Sequence, residues 1–279
     1  MGVGGHPGEV LEVLYQGEPG AYSEEAAQRL FPGIPATGRP TFAAAFAGIE
    51  SGRAAVLPVE NSLGGVVQEV SDLLWAHPEV VVLGEHFLPV RHLLLTATAA
   101  PVRRALSHPQ ALAQCAGFLA ARRIEPVPHS DTAGAARWVS EHRLPGDAAI
   151  ASAAAAARYG LQVAAEDIAD RNSNRTRFLV CAPGSLRLLP AALPAKLSLG
   201  FVTAHRPGAL AAVLLECSRR GLNLSRLDSR PIPDLPFEYR FYADLELGPG
   251  EDCSPLLTAL AAITAELRVF GLYPRAPSS

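Results

Sequence analysis

Thr176-Arg177-Phe178 sits where a polar run, NSNR at 172–175, enters the apolar stretch FLVCA. A hydroxyl donor, a fixed cation and an aromatic ring fall within three residues there. Such a set suits a small, negatively charged, ring-bearing molecule, because a guanidinium binds carboxylate well and a hydroxyl can serve a leaving group. Taken alone, the stretch is better explained as a solvated loop running into a strand. Four upstream strand ends add to it: Glu60-Asn61-Ser62, Ser107-His108, Asp131-Thr132 and Ser152 each finish an apolar segment and open a helix. In open α/β sheets ligands bind beyond the carboxyl ends of strands, where helix starts present free N–H groups to anions. One such end is ordinary capping. Several together, with Arg177 added, predict an anion pocket.

The elements that must hold these residues follow from periodicity. VLEVLYQ at 10–16 reads as a first strand, GEPG as a turn, and Ser23 as the cap of a helix through Phe31 with Glu24 and Glu25 in its first turn. Phe42, Phe46 and Ile49 recur at helical spacing behind Thr41, and Gly52 closes that helix. AAVLPV is short enough for a buried strand, and a helix carrying Val66, Val70, Leu73 and Leu74 follows Gly64-Gly65. VVVLG and VRHLLLTA read as strands, the second as part of a crossover between lobes. Three further strand–helix units lead to TRFLVCA, and such alternation argues a parallel or mixed sheet. LRLLPAALPA is a Pro-rich linker. Beyond it, two helices (Leu210 to Cys217, Leu256 to Leu267) alternate with four strands as βαββαβ, a ferredoxin-like module.

Composition limits the function classes. The 279 residues are 49% hydrophobic and 18% charged, which predicts a packed globular chain. Net charge is −3 without a basic run, arguing against a nucleic-acid partner. No apolar run reaches membrane-spanning length, and Met1–Pro19 lacks the pattern of a signal peptide. His6 stands where myristoylation needs Ser or Thr. The cysteines Cys115, Cys181, Cys217 and Cys253 form no CxxC pair, which fits a reducing, cytoplasmic location. GVGGHPG precedes a strand rather than following one, so no nucleotide cofactor is expected, and the scattered histidines predict no metal site.

The motifs GEPGAYS, PVENSLGG, SHPQALAQC, DTAGAA and TRF, in that order, resemble the prephenate dehydratase family. RPGAL (206–210), GLNL (221–224) and DSRP (228–231) resemble its regulatory ACT domain, with Asp228 where the family usually has Glu. The resemblance covers nearly the whole chain. It implies a two-lobed catalytic domain similar to periplasmic binding proteins over residues 10–183, a linker over 184–195 and an ACT domain over 196–275. With no room before Val10 for a chorismate mutase domain, a monofunctional enzyme is expected. The implied reaction converts prephenate to phenylpyruvate, with phenylalanine as allosteric inhibitor and no cofactor.

The resemblance implies that Thr176 donates to the departing hydroxyl, with Asn61 and Gln114 orienting the ring. On acidity alone His108 is the better acid, the alternative being a loop histidine bonded to backbone. Ser107, Arg177, Phe178, Glu60 and Ser62 complete the expected substrate site. Ser107 reads equally as a helix cap, Gln114 as an exposed polar residue, and Arg177 as a salt-bridge partner of Asp167 or Asp170. Glu60 belongs at the edge, since a carboxylate beside a dianion is repulsive. For the effector, the resemblance implies Gly208, Ala209, Leu210, Asn223, Asp228, Ser229, Arg230 and Pro231 at an interface between two ACT domains, hence a homodimer or homotetramer. Arogenate dehydratase and a non-catalytic amino-acid sensor are the rival readings.

Overall fold

The computed structural model describes residues 10–184, 194–233, 235 and 237–276. The Gly-rich start, the core of the Pro-rich linker (185–193) and two residues of the turn PIPDLP lie outside the described residues.

The first lobe runs β1 (Glu12–Gln16), α1 (Tyr22–Leu30), β2 (Ala36–Arg39), α2 (Phe42–Ala47), β3 (Arg53–Asn61), β4 (Gly65–Val66), α3 (Gln68–Ala76) and β5 (Val80–Pro89). The second holds β6 (Leu93–Thr96), β7 (Arg104–Ser107), α4 (Pro109–Gln114), α5 (Ala116–Arg122), β8 (Glu125–Pro128), α6 (Thr132–His142), β9 (Asp147–Ala151), α7 (Ala153–Tyr159) and β10 (Gln162–Ala165). The chain then returns as β11 (Arg175–Pro183), which inserts antiparallel between β3 and β5. The sheet orders are β2-β1-β3-β11-β5, with β4 on β3, and β10-β6-β9-β7-β8. Two connections therefore cross between the lobes, Val90 to His92 and Glu166 to Asn174, joined by a backbone bond from Val90 N to Asn174 O of 2.9 Å. The lobes also touch where Ser152 and Tyr159 donate to the backbone of the GEPG turn, at 2.8 and 2.7 Å.

Several local expectations change. α1 begins at Tyr22 with Ala21 at its cap and no side-chain bond; Ser23 lies buried inside the first turn, while Glu24 accepts from Gly20 N at 2.5 Å. Thr41 does cap α2, yet that helix ends at Gly48 rather than Gly52. The single helix expected after His108 breaks at Cys115 into α4 and α5.

The C-terminal unit is β12 (Ala195–Val202), α8 (Ala209–Arg219), β13 (Asn223–Pro231), β14 (Tyr239–Leu247), α9 (Ser254–Ile263) and β15 (Glu266–Pro274), with sheet order β13-β14-β12-β15. This is the ferredoxin-like βαββαβ arrangement. Every residue of β12 is buried although its sequence, AKLSLGFV, alternates. Alternation sends Leu197, Leu199 and Phe201 toward α8 and α9, and Lys196, Ser198 and Gly200 the other way. That second face is buried against the first lobe. Trp75 of α3 packs edge-on to Tyr242 and Phe270, with Arg240 4.0 Å above its ring. At Gly271 a Cβ would come within 2.2 Å of the Val82 carbonyl oxygen, so glycine is what lets β15 lie on β5.

Candidate active site

A cleft of about 210 Å³ opens between the lobes. The first lobe supplies the α1 start, Asn61 and Thr176; the second supplies His108, Gln110, Gln114 and the Asp131-Thr132 helix start; the crossovers supply Val90, His92 and Asn174. The decisive placement is the insertion of β11, which sets Thr176 directly opposite Asn61 in the β3–β11 register.

Asn61 orders what surrounds it. Its Oδ1 accepts from the backbone amides of Leu63 (3.0 Å) and Gly64 (2.7 Å). Its Nδ2 must then face Asn174 Oδ1 at 2.8 Å and Thr176 Oγ1 at 2.9 Å. Thr176 thus accepts from Asn61 and keeps its own hydroxyl proton to donate. Asn174 Nδ2 donates to Gln114 Oε1 at 2.9 Å, and His92 Nε2 lies 2.8 Å from that same oxygen. His92 is 3% exposed; burial holds its pKa below the ordinary range, opposed by the bond to Gln114. Gly64 presses against Gln110 of the opposite lobe, since a Cβ there would reach 1.7 Å from Gln110 Nε2.

Among the described residues that line the cleft, none is Lys or Arg. The start of α1 faces the cleft with first amides that carry no side-chain cap, although Glu24 and Glu25 stand in that first turn. The α6 start is filled by Asp131, which accepts from Gly134 N at 2.6 Å. Among the described residues, no group of three or more His, Cys, Asp or Glu could hold a metal ion.

Of the expected substrate residues, Thr176, Asn61 and Gln114 meet at the cleft and five others do not line it. Arg177 is corrected. Strand alternation turns it away from Thr176's side, and its guanidinium is 4% exposed. It donates to Glu85 (2.7 Å), Asp244 (2.5 Å) and the Tyr273 hydroxyl (3.0 Å), so neither a substrate nor Asp167 or Asp170 is its partner. Lys196 adds a bond to Glu85 at 2.9 Å, and Ser198 donates to Asp244. Two cations and two carboxylates thus close a neutral buried cluster between the first lobe and the C-terminal sheet. Burial opposes the charge on Arg177, but Asp244, Tyr273 and Glu85 raise its pKa further. Burial likewise works against the Asp244 carboxylate, and Arg177 and Arg226 overcome it, leaving the pKa lowered.

Phe178 lies beneath the cleft floor, 1% exposed, packed in the cluster with Val13, Tyr15 and Ala27. Glu60 pairs with Arg177 in register, shares its side of the strand and stands 4.0 Å from it. Ser62 bonds Ser173 O and Arg175 N, fastening the returning crossover. Ser107 is fully buried, donating to Ile150 O at 2.6 Å, and the cap of α4 is His108, whose Nδ1 accepts from Gln110 N. His92, Tyr22 and Asn174 line the cleft without having been expected there. The visible signal for His92 was a polar residue entering the apolar run LLLTA; for Asn174 it was its place in NSNR.

A second cavity, of about 500 Å³, lies in the C-terminal unit between the α8 start and β14, lined by Arg206, Gly208, Ala209, Leu210, Tyr239 and Phe241 among others. The eight expected effector residues split. Gly208, Ala209 and Leu210 line this cavity, whereas Asn223, Asp228, Ser229, Arg230 and Pro231 do not. Ser229 and Pro231 pair with Phe241 and Tyr239, sharing their face of the sheet. Asp228 and Arg230 take the opposite face. There Arg226 bonds Asp228 and Ser71, and Arg230 bonds Asp72 and Gln68 of α3. Asn223 donates to Glu246.

The fold and the cleft define a class: a two-lobed α/β binding domain with a hydroxyl–amide site between its lobes, followed by a ferredoxin-like unit. Residues 13–185 match the family described as prephenate dehydratase. The chloroplastic arogenate dehydratase/prephenate dehydratase 2 of Arabidopsis thaliana is 39% identical, over 96% of this chain and 74% of the relative. A bifunctional N-acyl-homoserine lactone acylase/prephenate dehydratase from Komagataeibacter europaeus is 35% identical, over 95% of this chain and 96% of its own. The crystal structure of a prephenate dehydratase in complex with L-Phe from Arthrobacter aurescens superposes with a TM-score of 0.83 at 28% identity, covering 96% of this chain and 92% of that one. The chain belongs to the prephenate dehydratase family, and so to the lyases of aromatic amino-acid and phenylalanine biosynthesis. No described helix is long and apolar enough to cross a membrane.

Proposed function

We propose that the cleft binds prephenate and converts it to phenylpyruvate. The observation that carries this reading is the Asn61–Thr176 bond at 2.9 Å, in which Thr176 accepts and so keeps its hydroxyl proton available to donate. The ring carboxylate leaves as carbon dioxide, its bonding electrons entering the ring while the opposite hydroxyl departs as water. Thr176 supplies the proton or hydrogen bond, and solvent restores it. A threonine hydroxyl is a weak acid, but aromatisation drives the step, and donation from Asn61 makes that hydroxyl more acidic. Gln114 orients the ring, and the open amides of α1 take a carboxylate. The protein's share is orientation and electrostatics.

Arogenate is the second reading, favoured by relatives named arogenate dehydratases in Arabidopsis and Petunia. Both substrates share the ring and its leaving groups and differ in the side chain. Purified protein incubated separately with each, followed by phenylpyruvate absorbance and phenylalanine release, decides between them; turnover of neither ends the dehydratase reading.

The second cavity is the proposed phenylalanine site, with Gly208–Leu210 offering helix-start amides to the carboxylate. In this reading residues 196–275 act as an ACT domain, and Ser229 and Pro231 join the site across a two-fold pairing. Support comes from their shared sheet face and from the L-Phe complex of the Arthrobacter relative. Inhibition requires that phenylalanine bind a less active state more tightly. A titration with no change in rate at saturation removes the regulatory reading.

A further inference from the structure

The cleft amides form a chain whose hydrogen-bond direction is fixed at one end. Because Asn61 Oδ1 accepts two backbone amides, Asn61 Nδ2 donates to Asn174 Oδ1. Asn174 must then offer its Nδ2 to Gln114, which answers with Oε1. That oxygen also faces His92 Nε2 at 2.8 Å, so the imidazole carries its proton there. Its Nδ1 faces the Tyr22 hydroxyl at 3.1 Å, and the two rings meet edge-on with centroids 5.9 Å apart. The Tyr22 hydroxyl donates to Arg91 O at 2.6 Å, which anchors α1 to the crossover; with its proton used there and the imidazole proton on Nε2, the approach to Nδ1 is a ring-packing contact and not a hydrogen bond.

We propose that His92 is a positioning residue: by donating from Nε2 to Gln114 Oε1, it holds the Gln114 amide with its NH2 group toward the substrate. The functional half of this rests on the dehydratase reading above. Asn174 and His92 together occupy the Gln114 oxygen and leave its nitrogen for a ligand oxygen. The cleft then offers two fixed donors, Thr176 Oγ1 and Gln114 Nε2, where none of the described lining residues is Lys or Arg. His92 suits the task because it sits on the crossover between the lobes, packed edge-on against Tyr22 and hydrogen-bonded to Gln114. Its buried ring stays neutral at physiological pH, burial having lowered its pKa. A neutral ring has a single N–H, so the tautomer decides the direction of the bond.

The test has two arms. Nitrogen-15 NMR of the imidazole in the full-length protein should show His92 protonated on Nε2 and bare on Nδ1; the opposite tautomer overturns the proposal. His92→Leu should lower kcat about tenfold or more with KM changed far less, the scale set by loss of one buried hydrogen bond. His92→Gln, whose amide N–H can reach the Nε2 position, should recover most of that loss. Unchanged kcat in His92→Leu, or no recovery in a folded His92→Gln, refutes the role. If His92→Leu does not fold, the tautomer and the His92→Gln kcat decide. Should wild-type protein turn over neither prephenate nor arogenate, the dehydratase reading falls while the NMR arm still reads the tautomer.

Discussion

Replacing Arg177 by methionine separates a structural cation from a substrate ligand. Its guanidinium holds Glu85, Asp244 and Tyr273 together with almost no solvent contact. The substitution keeps the aliphatic bulk and strands two carboxylates. Glu85 retains Lys196 and the Ala276 amide at 3.1 Å; Asp244 retains Ser198 and the more distant Arg226. Removing one partner of a buried pair costs about 3–5 kcal/mol. The remaining partners place this case at the lower end, near 3 kcal/mol. Urea denaturation should register that loss, and Arg177→Met with Asp244→Asn together should cost less than the sum of the single changes. The pH dependence follows in sign. Asp244 has its folded pKa lowered below 3.8, so its contribution is full above that value and is lost as the pH falls through the folded pKa. A folded Arg177→Met protein of wild-type stability that had lost only substrate affinity would refute the assignment and restore the guanidinium to the cleft.

Thr176→Ala should lower kcat by about 10²–10⁴ with KM nearly kept, and His108→Ala far less, measured with whichever substrate turns over; the reverse order makes His108 the acid. Gly271→Ala should destabilise the docking of β15 on β5, seen as a lower thermal midpoint, because the new Cβ meets backbone at 2.2 Å. Gly208→Val should weaken any phenylalanine response while basal turnover stays, since its φ of +80° disfavours a branched side chain at the α8 start. All four cysteines are buried, and burial pushes the Cys115 and Cys181 thiols up to about 12, so a thiol reagent should label fewer than four in native protein and four in urea.

How much of this was legible beforehand can be traced residue by residue. Strand–helix alternation, the caps at Thr41, Asp131 and Ser152, and the βαββαβ order of the C-terminal unit are local properties, set by periodicity and by backbone donors needing acceptors. Thr176, Asn61 and Gln114 were named through family motifs, and they do share one cleft. Arg177 and Glu60 were misplaced because adjacency in sequence says nothing about which face of a strand a residue takes. Thr176 and Arg177 are neighbours in the chain, yet they point to opposite sides of the sheet.

Local periodicity therefore determined most of the chain's elements, and the resemblance carried by its motifs pointed to its family. Tertiary structure alone decided where β11 inserts, which sets Thr176 beside Asn61 and sends Arg177 into the C-terminal sheet. It also decided that Lys196, Ser198 and Asp244 would be buried, a fate their polarity argues against. The reason is physical: pairing of strands about 115 residues apart, and neutralisation of charges drawn from the four strands β5, β11, β12 and β14, are long-range events. No local propensity encodes them.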